Sequence, residues 1–244
     1  MTTPLSRPSV VVLTGATSGI GSHMMRRLLD DGHRVVVVSR HASMLDPHPA
    51  LERIDCDLAV PDAVRALSAG LVRDHPRIDL LINNAAVQAG LPLTDPRLDP
   101  DAMIAEAQIN LLAPALLAHG LIGAHEAAGP GAAIVNLSSG LAYYPKRDTA
   151  LYCATKAGLH SLSQSLRYQL APRRIRVIEA VLPLVATPMT AGRGAGKMDA
   201  DSAARAVLAG IARGRDEVHV GKARLLPLLL RVAPFVVRNL LRGG

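Results

Sequence analysis

Short apolar runs alternate with longer amphipathic stretches along this 244-residue chain. The apolar runs predict strands buried on both faces, over 10–13, 34–38, 51–55, 78–82, 132–137, 176–182 and 217–220. The intervening stretches predict helices over 20–29, 61–73, 100–127, 150–171 and 200–213. Strands that alternate with helices predict an α/β fold, a doubly wound parallel sheet of about seven strands with helices on both faces.

The chain shows no composition break and no internal repeat, so we expect a single domain over 1–244. Residues 222–244 form a C-terminal helical extension of that domain in this interpretation. Its apolar part, Leu225 to Leu241, is interrupted by prolines and arginines and is too short to span a bilayer. We expect a subunit interface or a wall of the substrate pocket there, in preference to a basic helix on a membrane surface.

Composition narrows the class of protein. The net charge is +7, but the arginines are scattered along the chain and no nucleic-acid motif accompanies them, so we expect no nucleic-acid partner. The nine histidines lack metal-ligand spacing, and Cys56 and Cys153 form no framework, so we predict no metal site. The N-terminal residues lack an apolar signal core, which favours a cytoplasmic enzyme.

A glycine loop follows the first predicted strand. Residues 14–21 read T-G-x-x-x-G-x-G, with glycines at 15, 19 and 21, and the first helix begins inside the loop. Glycines allow a pyrophosphate to approach the backbone, and the helix N-terminus offers free N–H groups to it. Strand, loop and helix together predict the first unit of a Rossmann-like dinucleotide site.

The end of the second predicted strand bears on the choice of cofactor. In a dinucleotide fold this position meets the adenosine ribose, where an acidic residue would bind the hydroxyls of NAD(H). This chain has Ser39 and Arg40 instead. An arginine can clamp a 2′-phosphate through charge-assisted hydrogen bonds, so we favour NADP(H) over NAD(H), although Arg40 could simply point to solvent.

Candidate acid–base residues lie on the predicted helix over 150–171. Tyr152 and Lys156 are four residues apart and therefore share one helical face, where an ammonium group would lower the pKa of the phenol. Ser139 ends the fifth predicted strand, 13 residues before Tyr152, with Ser138 as the weaker candidate. Asn110 is a polar residue in an apolar helical stretch, and Pro114 would free its carbonyl from helix bonding.

These motifs in this order resemble the short-chain dehydrogenase/reductase family. The resemblance implies that Tyr152 exchanges the proton with the substrate oxygen, Ser139 polarises that oxygen, Lys156 holds the nicotinamide ribose, and Asn110 keeps a water through its backbone carbonyl. It also implies that Asp57 meets the adenine, where an N-cap for the next helix is the alternative. The implied cofactor-binding residues are Gly15, Thr17, Ser18, Gly19, Ile20, Gly21, Ser39, Arg40, Asp57, Leu58, Asn84, Ala85, Ala86, Tyr152, Lys156, Pro183, Val185 and Thr187.

Two family glycines are replaced, by Ala86 and Leu184. The phrase Pro183-Leu-Val-x-Thr187 and the ending Val220-Gly-Lys-Ala-Arg-Leu-Leu resemble the DltE-like sub-branch, a name that does not predict the substrate. We predict a lid over 190–198 with glycine hinges, whose Arg193 and Lys197 are solvated charges in preference to substrate ligands.

The resemblance implies an NADP(H)-dependent oxidoreductase that interconverts a small-molecule carbonyl and its alcohol, in a homodimer or homotetramer. The alternative is a cofactor-sensing protein of the same fold without turnover. The sequence leaves the substrate open.

Overall fold

The computed structural model describes residues 4–236 and 238. It contains one parallel sheet of seven strands in the order β3-β2-β1-β4-β5-β6-β7. The strands are β1 (Val10–Thr14), β2 (Arg34–Ser39), β3 (Leu51–Asp55), β4 (Leu80–Asn83), β5 (Ala133–Ser139), β6 (Arg176–Leu182) and β7 (Glu217–His219). The order reverses at β1, which pairs with both β2 and β4. Such a switch point leaves a crevice at the carboxyl ends of the strands, where ligands bind.

Helices cover both faces of this sheet, which confirms the doubly wound architecture. They are α1 (Gly19–Asp30), α2 (Pro61–Asp74), α3 (Pro100–Ala107), α4 (Ala113–Gly120), α5 (Ile122–Ala128), α6 (Ala150–Leu170), α7 (Ala200–Ala212) and α8 (Leu226–Val232). One core packs α1 and α7 on the sheet through residues such as Met24, Leu28 and Val207. A second core packs α2 and the α4 side through Leu71, Leu117 and their neighbours. Because the described aromatic residues contribute almost nothing to either core, aliphatic packing holds the layers together.

The predicted helix over 100–127 is wrong as one continuous helix. It consists of α3, a π-helical turn over Gln108–Leu112, α4 and α5. Pro114 has no N–H to donate, and the Ala113 N–H bonds the carbonyl of Gln108, five residues back. The extra residue per turn widens the helix at Asn110.

The strand predicted from residue 78 begins at Leu80 instead. Asp79 lies just before the strand. Its carboxylate accepts a hydrogen bond of 2.9 Å from the Val10 N–H. Its other oxygen meets Arg7 at 3.0 Å. These side-chain contacts fix the entry to β4, which a hydrophobic pattern does not reveal.

The stretch Pro100–Gly120 is long and apolar enough to cross a membrane, by length and composition alone. It lies within the helical layer, where α3 packs against α6 and α4 packs against α2. It also buries the polar side chains of Glu106, Gln108 and Asn110. A core helix of the fold accounts for its composition.

Candidate active site

A cavity of about 490 Å³ opens at the carboxyl ends of the strands. Every residue that the sequence singled out for the site lines this cavity, with the exception of Asn110. The cavity runs from Ser39 and Arg40 past the glycine loop to Ser139, Tyr152 and Lys156. The topology therefore brings residues that are more than 100 positions apart in sequence to one crevice.

The glycine loop is shaped by close backbone contacts. Gly15 has φ +69°, and a Cβ there would lie 2.8 Å from the Cα of Ala85. A Cβ on Gly21 would lie 2.3 Å from the carbonyl oxygen of Gly15. Helix α1 begins at Gly19, its first turn carries no acidic residue, and Ser18 makes no side-chain cap. The first N–H groups of α1 are therefore free of a side-chain acceptor, as an anion site requires.

Thr14 joins this loop to the end of β4. Its hydroxyl accepts hydrogen bonds of 3.0 Å from the N–H groups of both Asn84 and Ala85. In return, the Asn84 amide donates to the carbonyls of Thr14 and Gly15, at 2.9 and 2.8 Å. The two strand ends on either side of the switch point are thus fixed to each other.

The far end of the cavity is polar and lacks a carboxylate at the end of β2. The hydroxyls of Thr17 and Ser39 lie 3.4 Å apart. Arg40 is exposed and forms no ion pair within the described residues 4–236 and 238. Asp57 accepts a hydrogen bond of 2.9 Å from the Ala59 N–H, while the N-cap of α2 is Val60. The alternative role of Asp57 as the N-cap of that helix is therefore wrong.

Tyr152 and Lys156 lie one above the other on the cavity side of α6. The Lys156 ammonium nitrogen lies 5.6 Å from the centre of the Tyr152 ring. Lys156 is almost fully buried, and its Nζ donates a hydrogen bond of 2.9 Å to the carbonyl of Leu137 on β5. This bond fixes the ammonium beside the strand that ends in Ser139.

Burial dominates the electrostatics of this pair. It raises the pKa of Tyr152 to about 12, and the neighbouring Cys153 and Glu106 act in the same direction. Burial lowers the pKa of Lys156 to about 8, although the negative charges of Glu179 and Glu106 act to raise it. The net shift of the Tyr152 pKa is upward because desolvation of the phenolate outweighs the lowering charge of Arg193. The lowering by Lys156 stays a prediction.

Both serines at the end of β5 line the cavity. The Ser139 hydroxyl accepts a hydrogen bond of 3.2 Å from the Leu141 N–H, which orients it at the start of the following turn. The Ser138 hydroxyl is buried and has no partner among the described residues. Ser139 is thus the serine held in place by the backbone.

Asn110 lies behind the cavity wall, whereas its neighbour Ile109 lines the cavity. Its side chain forms two hydrogen bonds of 2.9 Å with the backbone of Val87, one in each direction. It also donates to the Thr155 hydroxyl at 3.3 Å. The Asn110 side chain therefore ties the loop after β4 to α6, the helix that carries Tyr152.

A buried polar group behind the site escaped the sequence analysis. Glu179 on β6 is fully buried and bonds His160 at 2.7 Å. His160 lies four residues after Lys156 on α6 and bonds Gln164 at 3.0 Å. A charged residue inside a strand pattern and a histidine in phase with Tyr152 and Lys156 are the signals that could have found this pair.

A second buried carboxyl group lies close to Tyr152. Glu106 is almost fully buried, and burial raises its pKa. One of its oxygens accepts a hydrogen bond of 2.8 Å from the Ala89 N–H, and the other has no partner among the described residues. Glu106, Gln88 and Tyr152 share the wall of a small side cavity of about 10 Å³.

Side chains of the predicted lid over 190–198 form hydrogen bonds with the neighbouring loops. Arg193 donates a hydrogen bond of 2.6 Å to the side-chain oxygen of Gln88, and it also bonds the carbonyl of Met189. Lys197 bonds the carbonyl of Thr190. The prediction that both cations are solvated is wrong, because each satisfies backbone or amide oxygens.

The other residues of the wall were not predicted individually, because they come from loops and from strand ends without a motif. They are Val38, Cys56, Val87, Gln88, Ile109, Leu137, Gly140, Leu141, Lys146, Leu182, Leu184, Pro188, Met189 and Thr190.

Comparison with known sequences identifies similar proteins. The sequence model of the family described as short chain dehydrogenase matches residues 9–197. The uncharacterized oxidoreductase DltE of Bacillus subtilis (strain 168) is 34% identical over 183 residues, which are 73% of this chain and 72% of the relative. Human L-xylulose reductase is 37% identical over 185 residues, or 72% of this chain and 70% of the relative.

Solved structures resemble the whole chain. A short chain dehydrogenase from Burkholderia cenocepacia J2315 in complex with NADP has a TM-score of 0.87 and 28% identity, covering 98% of this chain and 99% of the other. A short-chain dehydrogenase from Sphingobium yanoikuyae in complex with NADPH has a TM-score of 0.80 and 27% identity, covering 98% of each chain.

Proposed function

The chain belongs to the short-chain dehydrogenase/reductase family and is an NAD(P)-dependent oxidoreductase, and on that premise we propose that it uses NADP(H) to interconvert a carbonyl and its alcohol. One observation carries the proposal. A single cavity joins an unpaired Arg40 at one end to Ser139, Tyr152 and Lys156 at the other. The two ends correspond to the phosphate-bearing and the reacting ends of a dinucleotide.

The residues of the crevice fit such a cofactor. The free N–H groups of α1 and the bare backbone at Gly15 and Gly21 suit a pyrophosphate. Thr17, Ser39 and Arg40 supply donors and positive charge for a ribose 2′-phosphate. The backbone around Ala85 and Ala86, with Val185 and Thr187, would hold the nicotinamide end.

When bound, the cofactor supplies the hydride for reduction of the carbonyl carbon. Tyr152 gives its phenolic proton to the carbonyl oxygen as that oxygen gains negative charge. Ser139 donates a hydrogen bond to the same oxygen and orients it toward Tyr152. Lys156 holds the nicotinamide ribose, and the Leu137 carbonyl keeps its ammonium in place.

The raised pKa of Tyr152 suits the reducing direction, because a phenol with a pKa of about 12 is protonated at neutral pH. Oxidation of an alcohol requires the phenolate as base. We therefore expect the rate of oxidation to increase with pH across the neutral and alkaline range, while reduction does not need that ionisation.

The preference for NADP(H) rests on Arg40 and on the absence of an acidic residue at the end of β2. The similar proteins from Burkholderia cenocepacia and Sphingobium yanoikuyae are complexes with NADP and NADPH. Their complexes support the proposal without deciding the preference of this chain.

A panel of aldehydes and ketones, followed by the absorbance of NADPH, tests the function. In Tyr152→Phe we expect turnover to fall by about 10²- to 10⁴-fold while NADPH still binds, because one proton donor is lost and the cavity is kept. Tyr168→Phe is the matched control, since Tyr168 lies on the same helix and is 75% exposed. Binding of NADPH without turnover on the whole panel by the unmutated protein would favour the cofactor-sensing alternative.

A further inference from the structure

Most of the net charge of the protein is concentrated at its C-terminal end. Residues 221–244 contain five of the 27 Lys and Arg residues and none of the 20 Asp and Glu residues. The five cations are Lys222, Arg224, Arg231, Arg238 and Arg242. The other 220 residues therefore carry a net charge of only +2 out of +7. A cationic segment of this kind calls for an anionic partner.

The inner side of this segment packs onto the fold. Ala223 and Leu226 are buried against Val181 of β6, with Tyr143 and Tyr144 packed beside them. A Cβ on Gly140, which lines the main cavity, would lie 3.0 Å from the Leu226 side chain. The segment is thus anchored on the protein beside Gly140, but none of its described residues lines the cavity, so the expected pocket wall is not found there.

The outer side is apolar and exposed. The exposed fractions are 57% for Leu225, 61% for Leu228, 64% for Val232, 66% for Phe235 and 45% for Val236. We name these five residues the C-terminal apolar face. They come from three consecutive pieces of the chain: Leu225 ends a 3₁₀ turn over Gly221–Leu225, Leu228 and Val232 lie on α8, and Phe235 and Val236 follow the end of that helix. Five large apolar side chains that stay exposed within one short segment mark an interaction site.

Arginines are interspersed in sequence with the residues of the C-terminal apolar face, at 224, 231 and 238. Arg224 donates a hydrogen bond of 3.3 Å to the carbonyl of His219. Arg231 and Arg238 form no ion pair in the part of the chain that the structure describes. Exposed apolar side chains and cationic side chains therefore share one short segment of the chain.

We propose that the C-terminal apolar face docks on an anionic lipid bilayer, with its leucines and Phe235 in the interface and its arginines on the headgroups. Apolar burial and attraction to anionic lipid act together in this binding mode. A second copy of the chain fits less well, because a symmetric contact would bring two cationic segments together. Nucleic acid provides the anionic charge but no apolar counterpart for the face.

Vesicle co-sedimentation of the full chain tests the proposal. We expect binding to phosphatidylcholine vesicles that contain about a third phosphatidylglycerol, and little binding to pure phosphatidylcholine. Raising the salt from 0.05 to 0.5 M shortens the Debye length and should release much of the bound protein. Equal binding to both kinds of vesicle, or no binding to either, overturns the proposal.

Two variants separate the electrostatic from the apolar contribution to vesicle binding. Replacing Arg224, Arg231 and Arg238 together by Gln should weaken binding to the anionic vesicles by about a hundredfold, since each cation near such a surface adds about fivefold. The matched control replaces the exposed Arg26, Arg213 and Arg215 by Gln and should retain most of the binding. Equal losses in both variants would mean that overall charge, and not this segment, carries the attraction.

The second variant, Leu228→Glu with Val232→Glu, should abolish vesicle binding while the NADPH affinity and the melting temperature stay unchanged. These side chains are exposed, so the fold does not depend on them. Light scattering of the same proteins in solution provides the counter-test. If the unmutated protein binds no vesicles but forms an oligomer that this variant dissociates, the face is a subunit interface and the proposal is wrong.

Discussion

Arg40 is the residue on which the proposed cofactor preference depends. It is the cation at the ribose end of the cavity, and no described carboxylate neutralises it. Ser39 beside it offers a hydroxyl that tolerates either cofactor. Discrimination between the two cofactors thus reduces to whether one guanidinium meets a 2′-phosphate.

In Arg40→Ala we expect the dissociation constant of NADPH to rise by about 10- to 100-fold, because a charge-assisted hydrogen bond contributes about 1.5–3 kcal/mol. The dissociation constant of NADH should stay within about twofold. Quenching of tyrosine fluorescence or calorimetry measures both. Arg26→Ala on α1 removes the same charge outside the cavity and should change neither constant. Equal weakening of both cofactors would disprove the phosphate clamp.

The His160–Glu179 pair couples stability to pH. The hydrogen bond that His160 donates to the Glu179 carboxylate raises the pKa of His160 above its usual value of 6.5, against the opposing effect of burial. Protonation is thus more favourable in the folded state. Its stabilisation is complete below about pH 6.5 and is lost as the pH rises through the raised pKa.

His160→Gln should therefore lower the free energy of unfolding by about 3 kcal/mol at pH 6, since it leaves a buried carboxylate without its charge partner. The difference from the unmutated protein should shrink as the pH rises. Urea denaturation at several pH values measures it. His119→Gln, at an exposed position on α4, is the control and should change the stability little. A pH-independent difference for His160→Gln would contradict the coupling.

The residues of the site could be predicted from the sequence where a local motif contains them. The burial and the contacts of those residues could not. Tyr152 and Lys156 share a helical face by their spacing alone, and Ser139 follows from a strand end. The pKa of Tyr152 depends on how deeply the ring is buried, which spacing does not reveal. Gln88 and Arg193 meet across 105 positions through two loops, so no local pattern could pair them.

At the level of elements, the glycine loop and α1 act as one unit that depends on the absence of side chains. Gly21 lies in the first turn of α1, and a Cβ there would also come within 2.6 Å of the Asn84 amide nitrogen. Asn84 holds the end of β4 against β1. A methyl group at Gly21 must therefore displace the loop from β4.

We expect Gly21→Ala to lower NADPH affinity by at least tenfold and to lower the free energy of unfolding by about 1–3 kcal/mol, the usual cost of overpacking. Gly123→Ala on α5 is the matched control. A Cβ on Gly123 meets no atom within 4 Å, so the same change should be neutral or slightly stabilising. Isothermal titration and chemical denaturation of both variants measure the contrast. An unaffected NADPH affinity in Gly21→Ala would show that the close approach is not required.

The elements themselves were predicted where the hydrophobic period is strong. The strands and the helices α1, α2, α6 and α7 follow the pattern to within two residues at nearly every end. The predicted helix over 100–127 was interrupted because Pro114 removes one donor and a π turn absorbs the mismatch. Periodicity reports which side is buried, and it does not report how the backbone bonds are shared around a proline.

At the scale of the whole molecule, one cavity spans both halves of the sheet. Its wall includes the loop after β1 and the end of β2 on one side of the switch point and the ends of β5 and β6 on the other. Thr14 and Asn84 tie the halves together beneath it. A ligand that occupies the whole cavity should therefore stabilise both halves at once, as we expect if residues 1–244 form a single domain.

We accordingly expect one thermal transition by circular dichroism and calorimetry, with equal calorimetric and van't Hoff enthalpies. At a free concentration of about 100 times its dissociation constant, NADP⁺ should raise the free energy of unfolding by about 2.7 kcal/mol. This corresponds to a rise in Tm of about 5–10 °C for a chain of this size. Tyr152→Phe should keep the rise, and Arg40→Ala should reduce it to about 1 kcal/mol at the same NADP⁺ concentration. Two transitions, of which NADP⁺ shifts only one, would mean that the halves unfold separately and that the cofactor binds to one of them.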